Sequence, residues 1–364
     1  MRRGVPVAGA VLVLGPLALL VLLVAPGRGA PPQAADPTAG FGGGAPPVVQ
    51  PQARRLLDRA AAAPETTAYH GVQFVSAWTT GGTTTEVVDV RHQPGHGTTV
   101  RSDGTAVAPA RSMTLLAVGG PSLAGGGSVG LLATHYSLSV VGEDEVAGRP
   151  VDVVAARRPG SAPSSTDAAR FWLDRASGLV LRREVYDHRG RTTRASAFVE
   201  VTVGSGGAAV ASTGDRPWPA TVDDASLQRM RTRGWHCPAT LPGPLTLVDA
   251  RRGGQDGTTL HLTYSDGIAS VSVFEQQGRL ADGSLAGHRR STAGGHPVWV
   301  RGEVPQRVVW TSGKTVYVVV ADAPERTVDQ VVAALPHRPA ADGDTLGRLG
   351  RGLDRVASWF NPFS

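Results

Sequence analysis

An alternation of apolar and polar residues with a period of two constrains the fold more than any other feature of the chain. In residues 258–280 (TTLHLTYSDGIASVSVFEQQGRL), Leu260, Leu262 and Tyr264 fall on one face of an extended segment and polar residues on the other. Ser265-Asp266-Gly267 separates this run from a second one. Asp-Gly between two alternating runs is typical of a β-hairpin, because glycine adopts the positive φ of tight hairpin turns. Since the pattern recurs along most of the chain, the sequence predicts mainly antiparallel sheets.

Segments rich in Gly, Pro, Ser and Ala interrupt this alternation and divide the chain. Their positions predict two folded domains joined by linkers, with an apolar segment at one end and a basic segment at the other. The predicted organisation is a signal peptide or signal anchor at 1–30, a Pro/Gly linker at 31–50, a large β-rich domain at 51–203, a linker at 204–222, a small α+β domain at 223–338 and a basic amphipathic tail at 339–364.

A few helices are expected between the strands. Residues 53–63 have helical periodicity, and Pro64 is expected to end that helix. Shorter helices are predicted at 129–136 and 224–231. The clearest runs from 324 to 335, with Pro at its start and apolar residues at i, i+3, i+4 and i+7. With one sheet in each domain, these helices predict an α+β protein that is mostly antiparallel β.

The N-terminus predicts work outside the cytoplasm. Arg2 and Arg3 precede an apolar run at 5–24, which is typical of a segment that sends the following chain across a membrane. Cleavage after this run and retention as an anchor both remain open. The formal net charge is +6. Arginines scattered along the strands do not form the stripe expected of a nucleic-acid surface, so we predict no nucleic-acid partner. The amphipathic tail is expected either to contact a membrane surface or to pack on the body of the protein.

The sequence contains no convincing catalytic or metal-binding set. Gly126 to Gly130 matches G-x-S-x-G around Ser128, but the loop-like residues before it do not resemble the strand of a nucleophile elbow. Ser265 and Asp266 lack the histidine that a triad needs between them. Cys237 beside His236 lacks a second pair at ligand spacing. We therefore predict no enzyme activity, no metal and no cofactor.

Three stretches resemble the MucB/RseB family of extracytoplasmic sigma-factor regulatory proteins. They are YHGVQF at 69–74, RFWLDRASGLVLRREVYDHRG at 170–190 and LTYSDGIASVSVFEQ at 262–276. The resemblance implies an N-terminal half-open β-barrel similar to LolA-type lipoprotein carriers, with covering helices, and a smaller α+β C-terminal domain. It also implies a protein that binds the outer segment of a membrane-spanning anti-sigma factor and modulates its proteolysis during envelope stress, with a lipid-like signal. The alternative is a lipid or lipoprotein carrier with no role in sigma-factor regulation.

Two groups of residues are the candidate sites. A curved first sheet could place Phe74, Trp78, Phe171 and Leu173 on one concave apolar face that holds an acyl chain. The alternative, that these side chains fill an ordinary core, is favoured by the sequence alone. Strand edges of the second domain could pair with an extended partner segment. The candidate partner contacts there are Tyr264, Ser265, Asp266, Phe274 and Glu275.

Overall fold

The alternating segments form two separate antiparallel sheets in a computed structural model of the chain. Both sheets belong to one compact unit, Gly44–Ser364. The predicted domain boundaries remain predictions. The N-terminal apolar run, residues 205–219 of the predicted second linker and residues 340–364 of the predicted tail lie outside the described residues. The structure describes residues 46–79, 82–95, 97–102, 126–159, 167–204, 220–253, 257–278, 280, 285–302 and 306–339.

The first sheet has eight strands in the order β3-β2-β1-β8-β7-β6-β5-β4. Strands β3 and β4 are its edges and do not pair with each other over the described residues, so the sheet is open, as a half-open barrel requires. Its strands are β1 (Tyr69–Thr79), β2 (Gly82–Gln93), β3 (Gly97–Ser102), β4 (Ser137–Val146), β5 (Arg149–Arg157), β6 (Ala169–Asp174), β7 (Val180–Tyr186) and β8 (Thr192–Val203).

Two helices, α1 (Pro51–Thr66) and α2 (Gly126–His135), cover one face of this sheet. They share a buried apolar cluster with strands β4 to β7. Helix α1 continues past Pro64, where the sequence predicted its end, and stops at Thr66. Proline removes one backbone donor from the last turn, and the remaining turn is short enough to tolerate that loss. Ser128 lies within the first turn of α2, so the backbone there is helical.

The second sheet holds nine strands. Eight follow the order β10-β11-β12-β13-β17-β16-β15-β14, and β9 pairs with β11. The predicted hairpin is confirmed, since β12 and β13 pair antiparallel around residues 266–269. The strands are β9 (Ala220–Thr221), β10 (Thr240–Leu241), β11 (Leu245–Gly253), β12 (Thr259–Ser265), β13 (Ser270–Gln277), β14 (Arg289–Ala293), β15 (His296–Arg301), β16 (Gln306–Ser312) and β17 (Thr315–Asp322).

Helices α3 (Asp224–Thr232) and α4 (Glu325–Ala334) contribute to the main core of the second sheet. The sequence placed both within one residue of these bounds. Three valines on one side of α4 are fully buried against the sheet, as their i, i+3, i+4 spacing predicts. Among the described helices, none has both the length and the hydropathy needed to cross a bilayer. The predicted fold class, α+β with mostly antiparallel sheets, is confirmed.

Side chains of the meander at 170–190 organise its turns. Asp174, at the end of β6, accepts hydrogen bonds from the backbone N–H (2.7 Å) and hydroxyl (2.6 Å) of Ser177. Its carboxylate also receives two bonds from Arg149, at 2.9 and 2.8 Å. Gly178 follows with a positive φ of 82°. The D-x-x-S-G part of the motif is therefore a buried carboxylate that organises a tight turn.

Candidate functional site

The tip of the β12–β13 hairpin is built by its own side chains. Asp266 Oδ1 accepts hydrogen bonds from the backbone N–H groups of Ile268 (2.8 Å) and Ala269 (2.7 Å). The Ser265 hydroxyl donates to the Ala269 carbonyl at 2.8 Å and accepts from the Gly267 N–H at 2.9 Å. Aspartate and serine commonly satisfy turn backbone in this way. The predicted turn-forming role of residues 265–267 is confirmed.

This hairpin tip lies against the first sheet. The Tyr136 hydroxyl, directly after α2, donates to Asp266 Oδ2 at 2.7 Å. A Cβ on Gly267 would lie 2.7 Å from the backbone nitrogen of Leu132 in α2, so only glycine fits without a shift. Ile268 is buried in the apolar cluster that contains Leu132 and Tyr136. The second-sheet hairpin therefore completes the core under the helices of the first sheet.

Charged groups from both sheets surround the tip. Arg183 of β7 donates to the Ile268 carbonyl at 2.8 Å. Arg194 of β8 pairs with Asp322 at the end of β17, with Nε and Oδ1 2.5 Å apart. Burial lowers the pKa of Arg183; Asp322 and Asp266 oppose this shift and Arg194 adds to it. Two arginines and two aspartates thus interact electrostatically where the sheets meet.

A small, partly open cleft lies beside this charged group and has room for about one water molecule. Its walls are mixed. Arg183, Arg194 and Asp322 supply the charge, and the other lining residues are Val75, Ser76, Val185, Ala195 and Ser196. Val185 is also a member of the apolar cluster that contains Ile268. The cleft therefore lies beside both the buried charges and the helix-covered core.

Strand register separates the four residues predicted to line a ligand cavity. Phe74 of β1 pairs with Ala197 of β8, and Ala197 pairs with Arg182 of β7. Arg182 in turn pairs with Trp172 of β6. Since neighbours along a strand point to opposite faces, Phe74 lies on the face opposite to that of Phe171, the residue before Trp172.

The four predicted residues therefore fall into two pairs with different surroundings. Phe171 and Leu173 are buried under the helices, whereas Phe74 is half-buried and Trp78 is 39% exposed. The structure does not bring the four side chains together on one concave face. Their role in lining a ligand cavity stays a prediction.

The five predicted partner contacts are all buried. The Tyr264 hydroxyl donates to the Pro238 carbonyl at 2.9 Å within the main core of the second sheet. Phe274 lies on the opposite face and stacks on His261, with ring centroids 4.2 Å apart. Ser265 and Asp266 form the tip described above. The structure places these side chains away from solvent, and their role as partner contacts stays a prediction.

Glu275 is the most unusual of the five, because its side chain is almost completely buried (1% exposed) in an apolar sheet. Its Oε2 accepts a hydrogen bond from the backbone N–H of His236 at 3.0 Å. Burial raises the pKa of Glu275 to about 7, although the hydrogen bonds from His236 and from the Tyr317 hydroxyl act in the opposite sense. This carboxyl group therefore titrates near neutral pH.

Sequence reasoning missed the residues that meet the hairpin tip. One signal was present, since an apolar residue directly after Asp-Gly is unusual for a solvated turn and indicates a buried tip. The sequence does not distinguish Arg183 and Arg194 from the other Lys and Arg residues, which number 36 in all. No three His, Cys, Asp or Glu side chains of the described ranges lie together in a way that could hold a metal ion. The missed residues are Tyr136, Arg183, Arg194, Ile268 and Asp322.

Replacing Gly267 by alanine should loosen the contact between the sheets. A Cβ would collide with Leu132, and the φ of 94° disfavours a side chain. We expect a loss of about 2 kcal/mol in the free energy of unfolding and faster hydrogen exchange at the tip. A matched variant, Gly148→Ala, also has a positive φ but has no atom near its Cβ. Equal exchange at residues 266–269 in the two variants would contradict this prediction.

Two sequence comparisons match part of the chain. Residues 126–230 match the family model of the MucB/RseB N-terminal domain. The segment begins at α2, includes β4 to β8 and ends within α3. The sigma factor AlgU regulatory protein MucB of Pseudomonas aeruginosa is 30% identical over 216 residues, which are 58% of this chain and 63% of that protein. The match thus spans less than two thirds of that relative.

Solved structures give weaker likenesses. A crystal structure of MucB has a TM-score of 0.41 and 19% identity, covering 78% of this chain and 96% of that one. The complex of Pseudomonas aeruginosa MucA and MucB has a TM-score of 0.39 and 22% identity, covering 80% and 99%. The resemblance of this chain to the MucB/RseB family, predicted from three sequence stretches, is confirmed by the matching family model and by the MucB alignment.

Proposed function

We propose that this chain is an extracytoplasmic regulatory protein that binds the outer segment of a membrane-spanning anti-sigma factor and modulates its proteolysis. The observation that carries the proposal is the 216-residue similarity to a sigma-factor regulatory protein. The family-model match, which includes the meander of the first sheet, supports it. The carrier alternative is less well supported, because that curated relative is named as a regulator.

The mode of binding is part of the proposal. Of the predicted contacts, Ser265 and Asp266 lie at the tip, so they can meet a partner only if the tip leaves the first sheet. Under that mechanism, Gly267→Ala should strengthen partner binding, because it weakens the closed arrangement. An unchanged affinity would instead assign the contact to exposed strand edges, where unpaired backbone groups can accept an added strand.

A lipid-like ligand, export and membrane contact complete the proposal. The open sheet with covering helices supports a ligand with an apolar part. The apolar run at 5–24 supports export or anchoring, and the amphipathic tail supports membrane contact. Fractionation of cells that produce a C-terminally tagged chain tests localisation. A purely cytoplasmic product would contradict it.

We infer that the chain is not an enzyme. Ser128, the residue of the G-x-S-x-G match, lies inside α2 instead of on a strand-to-helix turn. A fluorophosphonate probe, which labels activated serines, should leave wild-type protein unmodified. Labelling that disappears in Ser128→Ala would overturn this inference.

The regulatory role is tested by deleting the gene and measuring an extracytoplasmic sigma-factor reporter under envelope stress. We expect raised reporter activity in unstressed cells, because the anti-sigma factor loses its protection. Complementation with the wild-type gene should restore the low level. An unchanged reporter, with and without stress, would reject the regulatory role.

A further inference from the structure

Strand β14 is an open edge of the second sheet, because it stands last in the strand order and no described strand pairs with its outer side. A two-residue Gly-Gly turn, with φ of 57° and 81°, joins it to β15. Such a turn is closed by a hydrogen-bonded pair, here Ala293 and His296. Hydrogen-bonded and non-hydrogen-bonded pairs alternate along an antiparallel ladder. The backbone N–H and C=O groups of Arg290 and Thr292, which are both exposed, therefore point away from β15.

Cationic side chains lie beside this edge on one face of the sheet. Arg290 is opposite Trp299, and its guanidinium lies over the indole ring at 5.0 Å. Two residues further along β15, Arg301 is directly opposite Arg307 of β16. Residues at i and i+2 of a strand share a face, so these side chains all lie on the same side of the sheet. The alternate residues, such as Val300, belong to the main core on the other side.

These charges have no counter-ion within the described part of the chain. Neither Arg301 nor Arg307 makes an ion pair or a hydrogen bond there. Burial lowers the pKa of Arg307, and the charge of Arg301 adds to this shift. Burial also lowers the pKa of the neighbouring His288; both arginines add to the shift and two backbone carbonyls oppose it. Like charges directly opposite each other destabilise a sheet, so an acidic ligand would relieve this repulsion.

Protection of the edge explains only part of this charge. Charged residues on an edge strand discourage other chains from pairing with it, and the exposed Arg289 and Arg290 fit that role. Arg301 and Arg307 do not, because they lie on the second and third strands from the edge. A small anion would meet only the arginines, whereas a polypeptide would also bond the outward backbone of β14. The continuity of the charge with the open edge therefore favours an extended acidic segment.

We propose that β14 binds an extended acidic segment of a protein partner, which adds to the second sheet as a further strand. Acidic residues at alternate positions of that segment lie about 7 Å apart on the face of the arginines. One carboxylate pairs with Arg290. The next meets Arg301, which is about 10 Å from the added strand, a gap that a glutamate and an arginine side chain span together. Strands β15, β16 and β17 separate this edge from the β12–β13 hairpin, and the inference goes beyond the proposed function.

The test uses a fluorescein-labelled heptapeptide of alternating glutamate and threonine, and anisotropy measures its binding to the full-length chain. The reference peptide has the same composition with its four glutamates in one block, so its carboxylates point to both faces. Wild type should prefer the alternating peptide by about fivefold. Arg301→Gln should weaken binding of this peptide by about tenfold, because a charge-assisted bond is lost. Arg233→Gln, which changes an exposed arginine at the end of α3, is the control and should have no effect.

A second variant tests the backbone contact without changing any charge. Thr292→Pro removes an outward N–H and no bond of the β14–β15 ladder, and proline is tolerated on edge strands. It should abolish the preference for the alternating peptide. Thr292→Val keeps the N–H group and should retain the preference. Circular dichroism of both variants checks that the sheet is intact.

The proposal is overturned if wild type binds the two peptides equally, or if Arg301→Gln and Arg233→Gln weaken binding to the same extent. Either result would show diffuse charge attraction only. Sedimentation of wild type without peptide examines the other occupant, a second copy of the chain. Self-association that Thr292→Pro abolishes, with no peptide binding, would overturn the proposal in favour of that contact. Partner protection, measured separately with Arg301→Gln, distinguishes failure of this surface from failure of the proposed function.

Discussion

Replacing Glu275 by glutamine is expected to stabilise the protein by about 3 kcal/mol at pH 8 and to change its stability little at pH 4.5. In the folded chain the pKa of this buried carboxyl is about 7, against an ordinary value of 4.5. Between these values the folded state binds more protons than the unfolded state. The stability of the wild type therefore falls as pH rises through this window and stays low above it, whereas an uncharged glutamine does not titrate.

Urea unfolding at pH 4.5 and pH 8 measures this change in stability. Hydrogen exchange of β13 and β17 measures it within the second sheet. Glu200→Gln is the matched control, because Glu200 is exposed on β8 of the first sheet. The two variants should differ at pH 8. If Glu275→Gln destabilises the second sheet at both pH values, the carboxylate is needed in its charged form and the raised pKa is wrong.

Replacing Asp174 by alanine is expected to lower the free energy of unfolding by about 3 kcal/mol at pH 7. The change removes the acceptor for two Arg149 bonds and two Ser177 bonds at a position that is 1% exposed. Burial disfavours the charged form, but these bonds outweigh it and lower the pKa of Asp174. Its contribution is therefore present above the ordinary value of 3.8 and is lost as pH falls below it.

Asp187→Ala provides the comparison, because Asp187 organises the next turn in the same way. It accepts backbone N–H bonds from Arg189 and Arg191, but its ion-pair partner Arg191 is 71% exposed. An exposed pair contributes little, so we expect a loss of about 1 kcal/mol. Chemical denaturation with tryptophan fluorescence measures both variants. Equal losses would show that the burial of Asp174 does not matter.

Local structure was predictable from this sequence, because the signals are local. The Asp266-Gly267 step specifies a hairpin whose own side chains complete the turn, and the spacing of valines specifies α4. The end of α1 was predicted three residues early, since proline in a last turn removes only one backbone bond. These elements depend on residues close to them in the chain.

The relation between distant strands was not predictable. Whether Phe74 shares a face with Phe171 or with Trp172 depends on pairing through two intervening strands. Bulges shift the register after Val72 and after Trp172, and each shift changes which side chains face each other. Alternation within one strand does not show which residues of a distant strand share its face of the sheet. The contact of Ile268 with the first sheet depends likewise on the packing of two separately patterned regions.

The burial of the hairpin changes how the resemblance is understood. Five residues of LTYSDGIASVSVFEQ were expected to contact a partner, but the stretch supplies part of the core of the second sheet and the contact that closes the first. Its distinctive residues therefore have structural roles in this arrangement. In our proposal, partner binding releases the residues of the tip, Ser265 and Asp266, from the first sheet.

The most direct test is protection of the partner from cleavage. The purified outer segment of the anti-sigma factor encoded by the same bacterium is incubated with a protease that cuts it, with and without the full-length chain. We predict that one equivalent of the chain slows cleavage of the segment. Cleavage at the same rate with and without the chain would contradict the account.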